Sequence, residues 1–168
     1  MNQKIKAHFL KIGPLRFVIG TVITLSVLDL INTYYLKLYW AKKKMALIFI
    51  EQSILHGRLS FHDFSDNTIR EMTGFINNTF YFFLLIIVLN NFFFYFFYLR
   101  KKLWAQSYVH FYALTAAVLA ILCLFDNPNM GIGWDIYNIV TFLIYLYLYF
   151  GVKLLKDETT LGHEKKEQ

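Results

Sequence analysis

Cysteine is almost absent from this 168-residue chain; Cys123 stands alone. A single thiol closes no internal disulfide and makes no Cys-x-x-Cys redox pair, so Cys123 reads as a small apolar residue within a helix. Catalytic signatures are missing too. There is no glycine-rich phosphate loop, no nucleophile elbow and no His-Glu-x-x-His helix, and nothing in the sequence asks for a cofactor. The most informative absence is charge. Residues 17–36 contain no Lys or Arg and one acid, Asp29, and residues 72–99 contain no charged side chain at all. Residues 103–125 carry no charge beyond any proton on His110, and residues 136–152 carry none.

Each of these stretches is close to the ~20 apolar residues that a helix needs to cross a hydrocarbon core of ~30 Å. The apolar fraction is 57%, above the roughly 45–50% usual for soluble domains. A soluble domain of this length could bury one such segment but not four. A membrane β-barrel is excluded by pattern, because its strands alternate apolar and polar residues and residues 80–89, FYFFLLIIVL, do not. Helices satisfy their backbone groups internally, which lipid demands. The expected fold is therefore an all-α polytopic membrane protein, a single membrane domain over residues 1–168. Its spans fall at about 14–40, 73–99, 103–125 and 132–155. Residues 41–71 are expected to form a helical hairpin outside the membrane, and residues 156–168 a cytoplasmic tail.

The links support that division. Pro14 suits the first turn of a helix, where its missing N–H is not needed. The first run lacks an Ala-x-Ala site and contains Asp29, so it is read as an uncleaved helix and not as a signal peptide. Spans two and three are joined by RKK, and spans three and four by DNPNMGIG, a turn by its Asn, Pro and Gly content. Such short links make spans two, three and four antiparallel neighbours. In the longer link, MALIFIEQSIL is compatible with a helix, Gly57 would end it, and Ser65 would cap a second helix leading into span two.

The net charge of +6 is not the mark of a nucleic-acid partner. Its basic residues stand beside the spans: Lys4, Lys6, Lys11 and Arg16, then Arg100, Lys101 and Lys102, then Lys153 and Lys156. The expected partners are the lipid bilayer and either further copies of the chain or other membrane proteins. The basic N-terminal segment, RKK turn and tail all favour the cytoplasmic side, whereas residues 126–133 contain no Lys or Arg. Lys42, Lys43 and Lys44 disagree with this assignment. Both termini are expected in the cytoplasm, with the protein in the plasma (inner) membrane. Trp40, Trp134 and Trp104 then lie at the membrane interfaces. The closing KKEQ is similar to a dilysine retrieval signal, which implies the endoplasmic reticulum membrane as the alternative.

Asp29 is the sharpest candidate for chemistry. An ionised carboxylate in mid-span costs ~2.5–3.5 kcal/mol on insertion scales, so it should face protein or water. Ser26, Asn32 and Thr33 share its helix face. At ~1.5 Å per residue Asp29 lies ~19 Å above the inner edge, Asn90 and Asn91 ~14 Å, Asn138 and Thr141 ~17–21 Å, and His110 ~10 Å. These side chains are candidates for one polar layer, as an ion or proton site or as hydrogen-bonded glue between helices. Glu51, His56, His62, Asp63 and Asp66 in the outer link are able to ligate metal, but their spacing matches no zinc pattern. The aromatic run 92–98 covers every side of its helix and reads as packing and lipid-facing bulk. Few small-xxx-small pairs occur, so close glycine-mediated crossings are not expected. The functional expectation is a non-enzymatic channel or transporter subunit working as an oligomer, or an accessory subunit of a membrane complex. The alternatives are a membrane enzyme acting on a lipid-like substrate through Asp29 or His110, and a sensory or scaffold protein acting through the outer hairpin.

Overall fold

A computed structural model describes residues 3–54, 64–125 and 131–164. The regular structure among them is helical: α1 (Gln3–Ile12), α2 (Pro14–Lys42), α3 (Met45–Phe49) followed by a π turn (Ile50–Ile54), α4 (Asp66–Leu99), α5 (Leu103–Phe125) and α6 (Ile132–Glu164). Among the described residues four segments are long and apolar enough to cross a membrane: Pro14–Lys42, Asp66–Leu99, Leu103–Phe125 and Ile132–Leu154. The shortest have 23 residues, or ~35 Å at ~1.5 Å per residue, more than the ~30 Å hydrocarbon core. The all-helical reading with four spans therefore stands.

The helix ends follow from local chemistry. The segment before Pro14 is itself a helix, α1, which the sequence reading did not anticipate. Gly13 separates it from α2 with φ +82, a left-handed conformation that glycine adopts without a Cβ clash. The Gly13 N–H donates to the Phe9 carbonyl at 3.3 Å, and the Phe17 N–H donates to the Gly13 carbonyl at 3.0 Å. One residue thus closes α1 and opens α2. At the other end of α4, Lys101 takes the left-handed position, φ 57. Its N–H bonds the Tyr98 carbonyl at 2.9 Å, and the Lys102 N–H bonds the Phe97 carbonyl at 3.2 Å. This pair of bonds terminates a helix in the Schellman manner, at a position usually held by glycine.

The link between the first two spans begins with α3, entered through Lys44 in the left-handed conformation. Ala46 of α3 and Ile50 of the π turn are buried. Residues 55–63, which include the expected break at Gly57 and the side chains His56, His62 and Asp63, lie outside the described residues. The second helix begins as expected at Ser65, whose Oγ accepts from the Thr68 N–H at 3.3 Å. It continues without interruption into the span, giving a helix of 34 residues. In the tail, α6 runs past its span to Glu164, and the last four residues lie outside the described set.

The chain divides into two compact units, one formed by residues 1–26 and 92–168 and the other by residues 27–91. In the first, α5 packs along α6. Ala105, Val109, Ala113, Ala117 and Ala120 are buried in a stripe down α5, with spacings of three and four residues that keep them on one helix face. Lipid is as apolar as leucine, so helices associate in it through close packing, which small side chains permit. Aromatic contacts link the helices further: Phe94 stacks on Tyr108 at 3.6 Å, and Tyr112 meets the Tyr145 ring edge-on. Close glycine-mediated crossings were not expected from the scarcity of small-xxx-small pairs, yet one glycine admits a close approach. A Cβ on Gly151 of α6 would collide with the rings of Phe17 and Phe9. In the second unit α2 and α4 run side by side, joined by the contacts described next.

Candidate functional site

Asp29 lies in the middle of α2 with 3% of its surface exposed. A helix that must keep a carboxylate out of lipid turns that face inward, and the inward face here carries Asp29 between Leu25 and Leu28 on one side and half-buried Asn32 and Thr33 on the other. Its partner is Asn91 of α4, also 3% exposed. Asn91 Nδ2 donates to Asp29 Oδ2 at 3.0 Å. Two further contacts join the same helices. Lys37 Nζ stands 5.0 Å from the centre of the Tyr81 ring. Trp40 Nε1 donates to Asn77 Oδ1 at 2.8 Å, and its indole stacks on Phe80 at 3.9 Å. Each step forward along α2 is a step backward along α4, so the pair is antiparallel and its register is fixed by polar and aromatic contacts.

Of the expected polar layer, the structure brings Asp29 and Asn91 together. Asn90, one residue away on α4, is exposed, because neighbouring helical residues point ~100° apart. His110, Asn138 and Thr141 belong to the first compact unit. Asn138 and Thr141 are buried there, and Asn138 Nδ2 donates to the Trp134 carbonyl one turn back on its own helix at 3.0 Å. His110 stacks on Tyr149 of α6 with ring centres 4.4 Å apart.

Some contacts were not foreseen. Gln106, one turn before His110, is 4% exposed and its Oε1 has no hydrogen-bond partner among the described residues. The buried Tyr98 hydroxyl faces Thr21 without completing a hydrogen bond of ordinary geometry, and the Thr21 hydroxyl donates to the Phe17 carbonyl at 2.8 Å. A lone Gln in an apolar span and a Tyr closing an aromatic run were the available signals. Within the run, Tyr95 and Tyr98 are buried while Phe92, Phe93 and Phe96 face outward, the expected division between packing and bulk. Glu51, in the link between the first two apolar helices, and Asp66, at the start of the second, are exposed. No group of three or more His, Cys, Asp or Glu side chains gathers among the described residues.

The chemistry available at Asp29 follows from its partner. A neutral amide donor satisfies one carboxylate oxygen whether or not the group carries a proton, since a carbonyl and a carboxylate oxygen both accept. Residues 17–36 and 72–99 contain no Lys or Arg. The pair can therefore hold the carboxyl in place through a change of protonation, or act as interhelical glue. Compared with known proteins, the chain matches no protein family, no curated sequence and no solved structure.

Proposed function

We propose that this chain is a non-enzymatic subunit of a membrane transport assembly, in which Asp29 takes up and releases a proton or a small cation while Asn91 holds it. The observation that carries this reading is the burial of Asp29 in a charge-poor span with an amide for a partner. An ionisable residue at such depth is costly, and it commonly marks an ion or proton pathway. Four helices enclose little space, and no more than a third of each apolar window is buried within the chain. A continuous wet path thus calls for several copies or for partner subunits. In this reading both termini face the cytoplasm, and residues 41–71 form a helical hairpin on the outer side.

The test is reconstitution of the purified protein into liposomes containing a pH-sensitive dye, with flux started by an ion gradient. The unmodified protein should carry flux. Asp29→Asn should keep its size-exclusion profile in detergent and lose the flux, because the amide retains the shape and cannot titrate. Flux through the Asn variant equal to that of the unmodified protein would exclude a transport role for Asp29.

A further inference from the structure

The first compact unit carries its described Lys and Arg side chains at one end. Four observations bring them together. The Phe17 ring lies on Gly151, which sets the start of α2 beside the end of α6 and so places Arg16 and Lys153 at one level. Phe9 packs on Phe17 and Tyr147, which draws the end of α1, with Lys11, to the same place. Thr21 faces Tyr98, which puts the end of α4 there as well. The turn from α4 to α5 then adds Arg100, Lys101 and Lys102. All six cationic side chains are exposed. The one acid among the described side chains of this unit, Asp135, lies at the other end of α6, ~27 Å from Lys153 along the helix.

We propose that this end of the unit binds the headgroups of anionic phospholipids, with its cations on the phosphates and the aromatic surface just below against the acyl chains. The aromatic surface singles out an amphiphile. Phe93, Phe96 and Trp104 are exposed next to the charged turn, so a ligand that covers the site must offer an anion and an apolar tail together. Nucleic acids and acidic peptides supply only the first. The Arg100 guanidinium lies 4.2 Å from the centre of the Phe96 ring, which holds it at the boundary between the two surfaces. The backbone adds a second argument. Lys101 occupies a left-handed position that glycine adopts without steric cost and other residues do not, so the turn carries a cation where geometry alone favours glycine.

Trp104 serves as the reporter. Trp40→Phe with Trp134→Phe leaves it as the sole tryptophan, and nanodiscs are prepared with brominated phosphatidylcholine or brominated phosphatidylglycerol mixed into ordinary phosphatidylcholine. The brominated anionic lipid should quench Trp104 at roughly fivefold lower content or better, since one basic residue near an anionic surface already contributes about this much. The preference should shrink in high salt, which screens exposed charges. It should fall in Arg100→Gln, Lys101→Asn, Lys102→Gln, which removes three of the six cations at exposed sites and whose Asn tolerates the left-handed backbone. A second measurement needs no substitution: the unmodified protein, purified from micelles doped equally with both lipids, should retain the anionic one preferentially. Equal quenching by the two lipids, equal retention, or a preference left unchanged by removal of the three charges would overturn the assignment.

Discussion

The ring of Phe17 occupies the space in which a side chain on Gly151 would begin. Its Cε2 lies 2.6 Å, and Phe9 Cε1 2.7 Å, from the position of such a Cβ. Phe9 and Phe17 are themselves 5% exposed and in edge contact, 5.2 Å between centres. The rings therefore have little room to retreat. Gly151→Ala gains up to ~1 kcal/mol of helix propensity, but overpacking typically costs ~1–3 kcal/mol. The expected outcome is a net loss of about 1–2 kcal/mol, read as a lower midpoint of thermal unfolding in detergent. Phe17→Leu should be harmful alone and should recover part of the loss when combined with Gly151→Ala. A Gly151→Ala protein more stable than the parent would show that the ring contact does not shape this crossing.

The bond between Asp29 and Asn91 is testable apart from any transport role. Asn91→Leu removes the amide and strips Asp29 of that donor; Asp29→Leu does the reverse. Interhelical hydrogen bonds in membranes contribute about 0.6 kcal/mol on average, with a maximum near 1.7 kcal/mol. Each single change should lower stability, and the double change should cost less than the two losses added together. The cycle is read by unfolding in detergent. Strict additivity would mean that the two side chains do not interact.

The spans were legible because lipid imposes a simple rule: the stretches free of charge became the helices long and apolar enough to cross it, and the RKK link became the end of one and the start of the next. Asp29 was legible for the same reason, as the exception within its stretch. The choice between Asn90 and Asn91 was not. Adjacent helical positions differ in direction and hardly at all in depth, and a count of residues measures depth alone. Helix α1 escaped because Gly13 and Pro14 mark a helix start equally well with or without a helix before them. Gly151 escaped because its neighbours four residues away are Tyr147 and Leu155, so a search for paired small residues passes over it. What it accommodates is a ring from another helix, and that ring is seen only after folding.

Two buried polar groups make an opposite kind of prediction. Among the described residues Gln106 Oε1 has no hydrogen-bond partner, and the Tyr98 hydroxyl meets only the Thr21 hydroxyl, without a bond of ordinary geometry. A buried polar group without a partner costs ~1–3 kcal/mol, so replacing it by an apolar group of the same shape should do no harm. Tyr98→Phe and Gln106→Met are expected to leave the unfolding midpoint unchanged or to raise it. A clear fall in either variant would show that the group is bonded in the membrane, through water or another molecule.

Orientation gives the last prediction. Fluorescent reporters that mature only in the cytoplasm, fused after Gln168 or inserted after Asn129, should be bright and dark respectively. The argument is a competition among basic clusters. The N-terminal segment, the 100–102 turn and the tail favour one orientation, and Lys42, Lys43 and Lys44 oppose it. Lys and Arg within ~15–20 residues of a span set topology, whereas acids contribute little. Replacing Lys42, Lys43 and Lys44 by Gln should therefore sharpen the contrast between the two reporters. Replacing Arg100, Lys101 and Lys102 by Gln should blur it, because the opposing cluster then meets fewer competitors. A dark C-terminal reporter beside a bright one at residue 129 would invert the assignment, and would show that the lysines after α2 outweigh the three other clusters.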